Sequence, residues 1–261
     1  MVKRSILWTV VLVATVLGMP VAAAQPSIWS AAGSSGVYVA LGESGAAGPF
    51  IPTQLKPFGC FRSDRNYAHL TAAALGLMLR DATCSGAKII NMYQPQEIPG
   101  GADTPQLDAL TADASIVSVD IGINDYVSDS ESSAAVTPVL DALLTDIHDR
   151  APAAKVFVMG KLERIRAGGC FPQVPLPPAQ ADLVYNGVLA VNELARAAAA
   201  AHDAVFVDVY PASVGLDACA PEDIRWSEGL FPEQPAQPLH ANARGHQHEA
   251  EMLEAAIRAN T

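Results

Sequence analysis

Five short runs of mostly apolar residues punctuate the chain: VYVAL at 37–41, AKIINM at 87–92, IVSVDI at 116–121, KVFVMG at 155–160 and AVFVDV at 204–209. Runs that are apolar nearly throughout, and not alternating, predict strands buried on both faces. Between them lie NYAHLTAAALGLML (66–79), AAVTPVLDALLTDIHDRA (134–151) and ADLVYNGVLAVNELARAAAAAH (181–202), in which apolar residues recur at three and four positions. That spacing predicts amphipathic helices, and NARGHQHEAEMLEAAIRAN (242–260) predicts a closing one. The alternation predicts an α/β domain: a five-stranded parallel sheet with helices on both faces. Two stretches break the pattern, MYQPQEIPGGADTPQ (92–106) and GGCFPQVPLPPAQ (168–180), both rich in Pro and Gly. Each reads as a surface excursion, either a plain connector stiffened by proline or a wall of a pocket at the carboxyl ends of the strands.

The N-terminus carries a different pattern. Lys3 and Arg4 precede an apolar run from Ile6 to Leu17, followed by Gly18, Pro20 and Ala22-Ala23-Ala24. Basic, then apolar, then small is the order of a secretory signal, so cleavage is expected after Ala24, leaving a single domain over 25–261. The interrupted run and its small-residue end argue against a membrane anchor, and no stable membrane insertion is expected after cleavage. At 261 residues, 50% hydrophobic and 16% charged, the chain can bury a sizeable core. Loss of Lys3 and Arg4 takes the net charge of −11 to near −13, which excludes nucleic acid and anionic membrane surfaces as partners. Cys60, Cys84, Cys170 and Cys219 all fall in the mature part, an even count that predicts two disulfides in an exported protein. Three pairings are possible, and short loop closure favours Cys60 with Cys84 and Cys170 with Cys219. No pair has C-x-x-C spacing, so no zinc site is expected. A monomer without metal or cofactor follows by default.

Candidate chemistry enters at VYVALGESGAAGPF (37–50), where Ser44 stands in a turn just past the end of the first strand. Its plainer reading is turn chemistry. The spacing of Gly42, Gly45 and Gly48 is not G-x-G-x-x-G, no P-loop lysine follows, and Ala46 rules out G-x-S-x-G. As a nucleophile Ser44 needs a base. His69, His148 and His202 fall in or at the ends of helical patterns and read as structural, whereas His240 lies in the loop before the last helix, in PLHANARGHQH. The spacing of His240, His246 and His248 does not suit a metal. Donors for a developing oxyanion are offered by the amide of Gly86 in CSGA (84–87) and by Asn124 in DIGINDY (120–126); a simple turn and a helix cap are their bland readings.

YVALGESGAAG, CFRSDRNYAHLTAAALG, CSGA, IGIND and the late HANARGH, in this order, resemble the SGNH or GDSL hydrolases, most closely their secreted bacterial lipase/esterase branch. The resemblance covers essentially the whole mature chain. It implies a flavodoxin-like three-layer sandwich and an esterase or lipase acting on small-molecule or lipid esters. Ser44 would be the nucleophile and His240 the base, and the oxyanion would be held by the amides of Ser44 and Gly86 and the Asn124 side chain. It also supports the sequential disulfide pairing. Four positions depart from the family pattern: Glu43 stands for the usual Asp, Gly45 for a bulkier residue, Ala241 for proline, and Gln237 for the acid three residues before the histidine. The histidine would then be oriented by a main-chain carbonyl within 226–238, or by Glu228 or Glu233 from a rearranged loop. Two other functions use the same fold: a catalytically weak lipid- or glycan-binding protein, and an acyltransferase using the same serine.

Overall fold

The computed structural model describes residues 36–128 and 132–261. The expected leader at 1–24 lies outside the described residues. The central sheet has five parallel strands: β1 (Val37–Gly42), β2 (Met78–Asp81), β3 (Ala114–Asp120), β4 (Lys155–Met159) and β5 (Val205–Val207). Their spatial order is β2-β1-β3-β4-β5, the flavodoxin-like order, which places a switch point between β1 and β3 at the carboxyl edge of the sheet. Every residue of β1 is buried. Its side chains alternate between two cores: Val37, Val39 and Leu41 enter one, Tyr38 and Ala40 the other.

Helices α1 (Tyr67–Leu75), α2 (Ile123–Ser128), α3 (Ser133–Arg150), α4 (Pro178–Ala201) and α5 (Ala243–Asn260) surround the sheet. On one face α3 buries Val136, Leu140, Leu143, Leu144 and Ile147, the three-and-four spacing of a single helical stripe, with Ala195, Ala198 and Ala199 of α4 beside them. On the other face α1 contributes Tyr67, Ala68 and Ala72, and α5 contributes Ala250, Leu253 and Ile257. Both disulfides take the sequential pairing: Cys60–Cys84 and Cys170–Cys219.

One strand differs from expectation. Residues 87–92 do not form a strand: Ile89–Met92 is a short 3-10 turn that buries Ile89 and Met92 and leaves Ile90 exposed. A three-residue apolar spacing with Lys88 N donating to Asn91 Oδ1 at 3.0 Å closes a turn, not an extended run. The fifth strand is instead Met78–Asp81, inside the stretch whose spacing predicts helix through residue 79. Gly76 ends α1 with a φ of 65°, and Leu77 N donates back to Ala72 O at 2.9 Å. A glycine free to take that conformation stops the helix, and the next residues pair with β1.

Candidate active site

The site stands at the carboxyl ends of β1 and β3. Ser44 opens a one-turn helix, Ser44–Ala47, directly after β1. Glu43 N donates to Asp120 O at 3.0 Å and the Gly42 amide donates to Gln106 Oε1 at 2.7 Å, fixing the approach to the turn. Gly42 is required here: a Cβ would lie 2.7 Å from the Ala46 Cβ and 2.8 Å from Asp120 O. Ser44 Oγ lies 2.8 Å from His240 Nε2, and both residues are buried.

His240 sits on a tight turn in which its amide donates to Gln237 O at 3.1 Å and Leu239 takes a φ of 57°, as the third residue of a type II turn does. The turn is strapped to a second chain segment. Glu228 N donates to His240 O at 2.9 Å, Leu239 N donates to Glu228 O at 3.1 Å, and Asn242 N donates to Trp226 O at 2.9 Å. Asn242 Oδ1 then caps α5 by accepting from Arg244 N and Gly245 N. The second imidazole nitrogen, Nδ1, lies 2.8 Å from the carbonyl oxygen of Pro238. A carbonyl can only accept, so Nδ1 carries the proton and Nε2 presents its lone pair to Ser44.

Among the described residues no carboxylate performs that orienting role. Gln237 faces Ser85, whose Oγ lies 3.4 Å from Gln237 Oε1. Glu228 is buried and bound by Arg225, by Asn242 Nδ2 at 2.8 Å and by the Glu233 amide at 3.1 Å. Burial alone would raise its pKa, but these partners outweigh burial and hold the carboxyl below its ordinary range. Its role is to fix the histidine turn, not to touch the ring. Burial, with the charges of Arg164 and Lys161, pushes the His240 pKa down to about 3, so the imidazole is neutral at pH 7.

The amides of Ser44 and Gly86 make no hydrogen bond among the described residues, and both residues line the same cleft. Gly86 reaches that orientation with a φ of 82°. The Cys60–Cys84 bridge anchors the chain two residues earlier. Asn124, in the first turn of α2, lines the cleft but has its two amide protons engaged: Nδ2 donates to Glu43 Oε2 at 2.6 Å and to Ala87 O at 2.9 Å. To serve as a third donor it must share or release one of them.

The cleft measures about 550 Å3. Phe61, Ile98, Pro99, Ile123 and Val127 supply apolar wall; Lys88, Glu97 and Arg164 are its charged residues. Of the two Pro/Gly-rich excursions only one borders it. Gln96, Glu97, Ile98 and Pro99 belong to a hairpin built from Gln96–Ile98 and Gly101–Asp103. Residues 168–180 do not line the cleft; they pack with Ile165, Ala181 and Ala218 around the Cys170–Cys219 bridge. Among the described residues, the one His/Cys/Asp/Glu group close enough for a metal is Cys60, Cys84 and Asp103, whose sulfurs are consumed in the disulfide.

The GDSL-like Lipase/Acylhydrolase family matches residues 40–248 of the chain. The chain is also 32% identical over 250 residues to Lipase 2 of Streptomyces coelicolor, covering 82% of this chain and 83% of that protein. The chain belongs to the GDSL-like lipase/acylhydrolase family. With that membership comes its class of reaction, the hydrolysis of carboxylic esters. The fold agrees. Phospholipase A1 from Streptomyces albidoflavus NA297 superposes with a TM-score of 0.72 at 21% identity, over 85% of this chain and 99% of that one. An extracellular lipase from Streptomyces rimosus does so with a TM-score of 0.71 at 23% identity, over 85% of this chain and all of that one.

In this GDSL-family hydrolase the departures around the serine share one cause. Beneath Ser44, Lys161 Nζ is paired with both Glu43 and Asp120, all three buried. The cluster links the ends of β1, β3 and β4. Burial pushes the Glu43 carboxyl above its ordinary range, although Lys161 acts against it, and the two carboxyls hold the Lys161 ammonium above its ordinary value against burial. Gly45 lies over this cluster, where a Cβ would stand 3.1 Å from Lys161 Nζ and 3.3 Å from Asp120 Oδ2. A larger side chain would be pressed against the ammonium. Sequence reasoning missed Lys161: KLERI after the fourth strand carried no motif, and the only signal was a lone lysine directly after an apolar strand.

Proposed function

We propose that this protein is a secreted serine ester hydrolase, a monomer of one domain over 25–261, that acts on small-molecule or lipid esters through an acyl-Ser44 intermediate. The observation that carries the proposal is the relay Pro238 O, His240, Ser44, with 2.8 Å at each contact. His240 Nε2 takes the Ser44 proton as Oγ attacks the ester carbonyl carbon, and the imidazolium that forms keeps its Nδ1–H on the Pro238 carbonyl. The carbonyl oxygen becomes negative and is met by the free amides of Ser44 and Gly86, with Asn124 as the third donor. His240 then gives its proton to the departing alcohol. Water, deprotonated by the same nitrogen, attacks the acyl carbon and restores Ser44. A neutral carbonyl stabilises the imidazolium less than a carboxylate would; the Pro238 carbonyl favours the protonated ring, but burial and the Arg164 and Lys161 charges outweigh it.

The similarity to Lipase 2 and to the extracellular lipase supports lipid esters as substrates and export as the destination. Two disulfides support the same destination. Among the described residues no helix is long and apolar enough to cross a membrane. The test is hydrolysis of p-nitrophenyl esters of graded acyl length by the mature protein and by Ser44→Ala. Turnover that vanishes in the variant is expected, and equal rates in both would contradict the reading. N-terminal sequencing of exported protein should begin at Gln25.

A further inference from the structure

Arg164 occupies an unusual position. It follows β4 in the segment Lys161–Ile165, whose other residues are held firmly: Lys161 by Glu43 and Asp120, Glu163 by Gly215 N at 2.8 Å, and Ile165 by full burial. The Arg164 carbonyl accepts from Ala218 N at 3.1 Å. The backbone is fixed on both sides, and the half-buried side chain enters the cleft that holds Ser44 and His240. Arg62, Arg80, Arg166, Arg196 and Arg225 each find a carboxylate in this acid-rich chain. The Arg164 guanidinium makes no hydrogen bond or ion pair among the described residues. Its charge acts on the buried Glu43 carboxyl without a direct contact, so all five donors of the planar fork stay available beside the active site and suit an anionic oxygen group of a ligand.

Its side of the cleft fixes which part of the ligand carries that group. Besides the main cleft, which it shares with Gly86 and Asn124, Arg164 lines with His240 a second, small cavity bordered by Lys161, Leu162, Ala241 and Glu249, to which Gly86 and Asn124 do not contribute. On the proposed reading His240 hands its proton to the departing alcohol, so Arg164 flanks the leaving-group side, while the acyl oxygen lies towards Gly86.

We propose that Arg164 is a specificity-determining residue that binds an anionic oxygen group, phosphate or carboxylate, on the alcohol part of the ester substrate. The proposal rests on the esterase reading above. A bidentate contact with a charged group is worth roughly ten- to a hundredfold in kcat/KM. The test compares 1-butanoylglycerol with 1-butanoylglycerol 3-phosphate and with the butanoyl ester of glyceric acid, three esters that differ in the charge on the alcohol. Wild type should favour one or both charged esters by about tenfold or more, and which one is favoured identifies the source of the anion. In Arg164→Gln the charged-to-neutral ratio should fall to near one, and in Arg164→Lys it should be partly kept. The ratio is the readout because any effect of the substitution on His240 enters all three substrates alike. A wild-type ratio near one, or a preference unchanged in Arg164→Gln, overturns the proposal. Calorimetric titration of Ser44→Ala with glycerol 3-phosphate and with glycerate needs no turnover, so it separates failure of the subsite from failure of the esterase reading. Binding of either anion, absent with glycerol and lost on adding Arg164→Gln, supports the subsite, and no binding of either overturns it.

Discussion

At the scale of single residues, the proposed chemistry hangs on a histidine whose environment keeps it neutral. Burial and two nearby cations lower the affinity of His240 for a proton, so the lone pair on Nε2 is available well below the pH at which a free imidazole would lose it. The acid limb of kcat/KM, which reports the free enzyme, should therefore lie displaced from about 6.5 towards about 3. A limb at the ordinary histidine value in a full pH profile would contradict this. The sign extends to folding: the unfolded chain binds this proton more tightly, so the contribution of His240 to stability is present above about 6.5 and is lost as the pH falls. Gln237 and Asn124 separate two roles. Because the Pro238 carbonyl orients the ring, Gln237→Ala should change kcat by less than about fivefold, whereas Asn124→Ala should lower it by about a hundredfold or more with a smaller effect on KM. Steady-state kinetics of the two variants with one p-nitrophenyl ester decide the point, and equal losses would refute the assignment.

At the scale of elements, the positions of the reacting groups depend on how strand ends and loops are tied down. The bridge between Cys60 and Cys84 closes a separation of 24 residues and sits two residues before Gly86. Replacing both cysteines by serine should cost about 3 kcal/mol in urea unfolding and should lower kcat, because the Gly86 amide loses its anchor. Unchanged stability and rate would show that the bridge does neither. Four of the five strands were legible as apolar runs, because strands buried on both faces need no alternation to be seen. The edge strand Met78–Asp81 was not, since it has one exposed residue and continues the apolar pattern of α1; only Gly76 marks the break. The run at 87–92 misled for the opposite reason, being apolar in composition but three-residue in spacing. Ser44, Gly86, Asn124 and His240, which the structure brings to one cleft, were legible as candidates because each lies in a loop or in the first turn of a helix, near a strand or helix end. A main-chain carbonyl within 226–238 was one of the expected partners of the histidine, but which one was not legible: a main-chain acceptor has no side-chain signature, and the turn with Leu239 at positive φ is what brings the Pro238 carbonyl to the ring.

At the scale of the whole molecule, three central strands are joined at their carboxyl ends by Lys161 with Glu43 and Asp120. Removing one partner of a buried ionic cluster leaves the rest uncompensated. Lys161→Met should destabilise the fold by about 3–5 kcal/mol at pH 7. The loss should shrink as the pH is lowered, because the stranded Glu43 carboxyl, whose pKa burial already raises, takes up a proton and ceases to be a buried charge. Urea unfolding at pH 7 and pH 5 measures both, and a loss independent of pH would indicate that packing, not charge, accounts for it. The same cluster carries the Asn124 amide through Glu43, so the variant that still folds should also show reduced kcat.

In the proposed mechanism Ser44, activated by His240, forms the covalent intermediate. Reaction with a serine-directed organophosphonate p-nitrophenyl ester, followed by intact-mass and peptide mass spectrometry, tests it most directly. One phosphonyl group per chain is expected, on the peptide containing Ser44, with labelling abolished in Ser44→Ala and strongly slowed in His240→Ala. Absence of label, or label on any other residue, would contradict it.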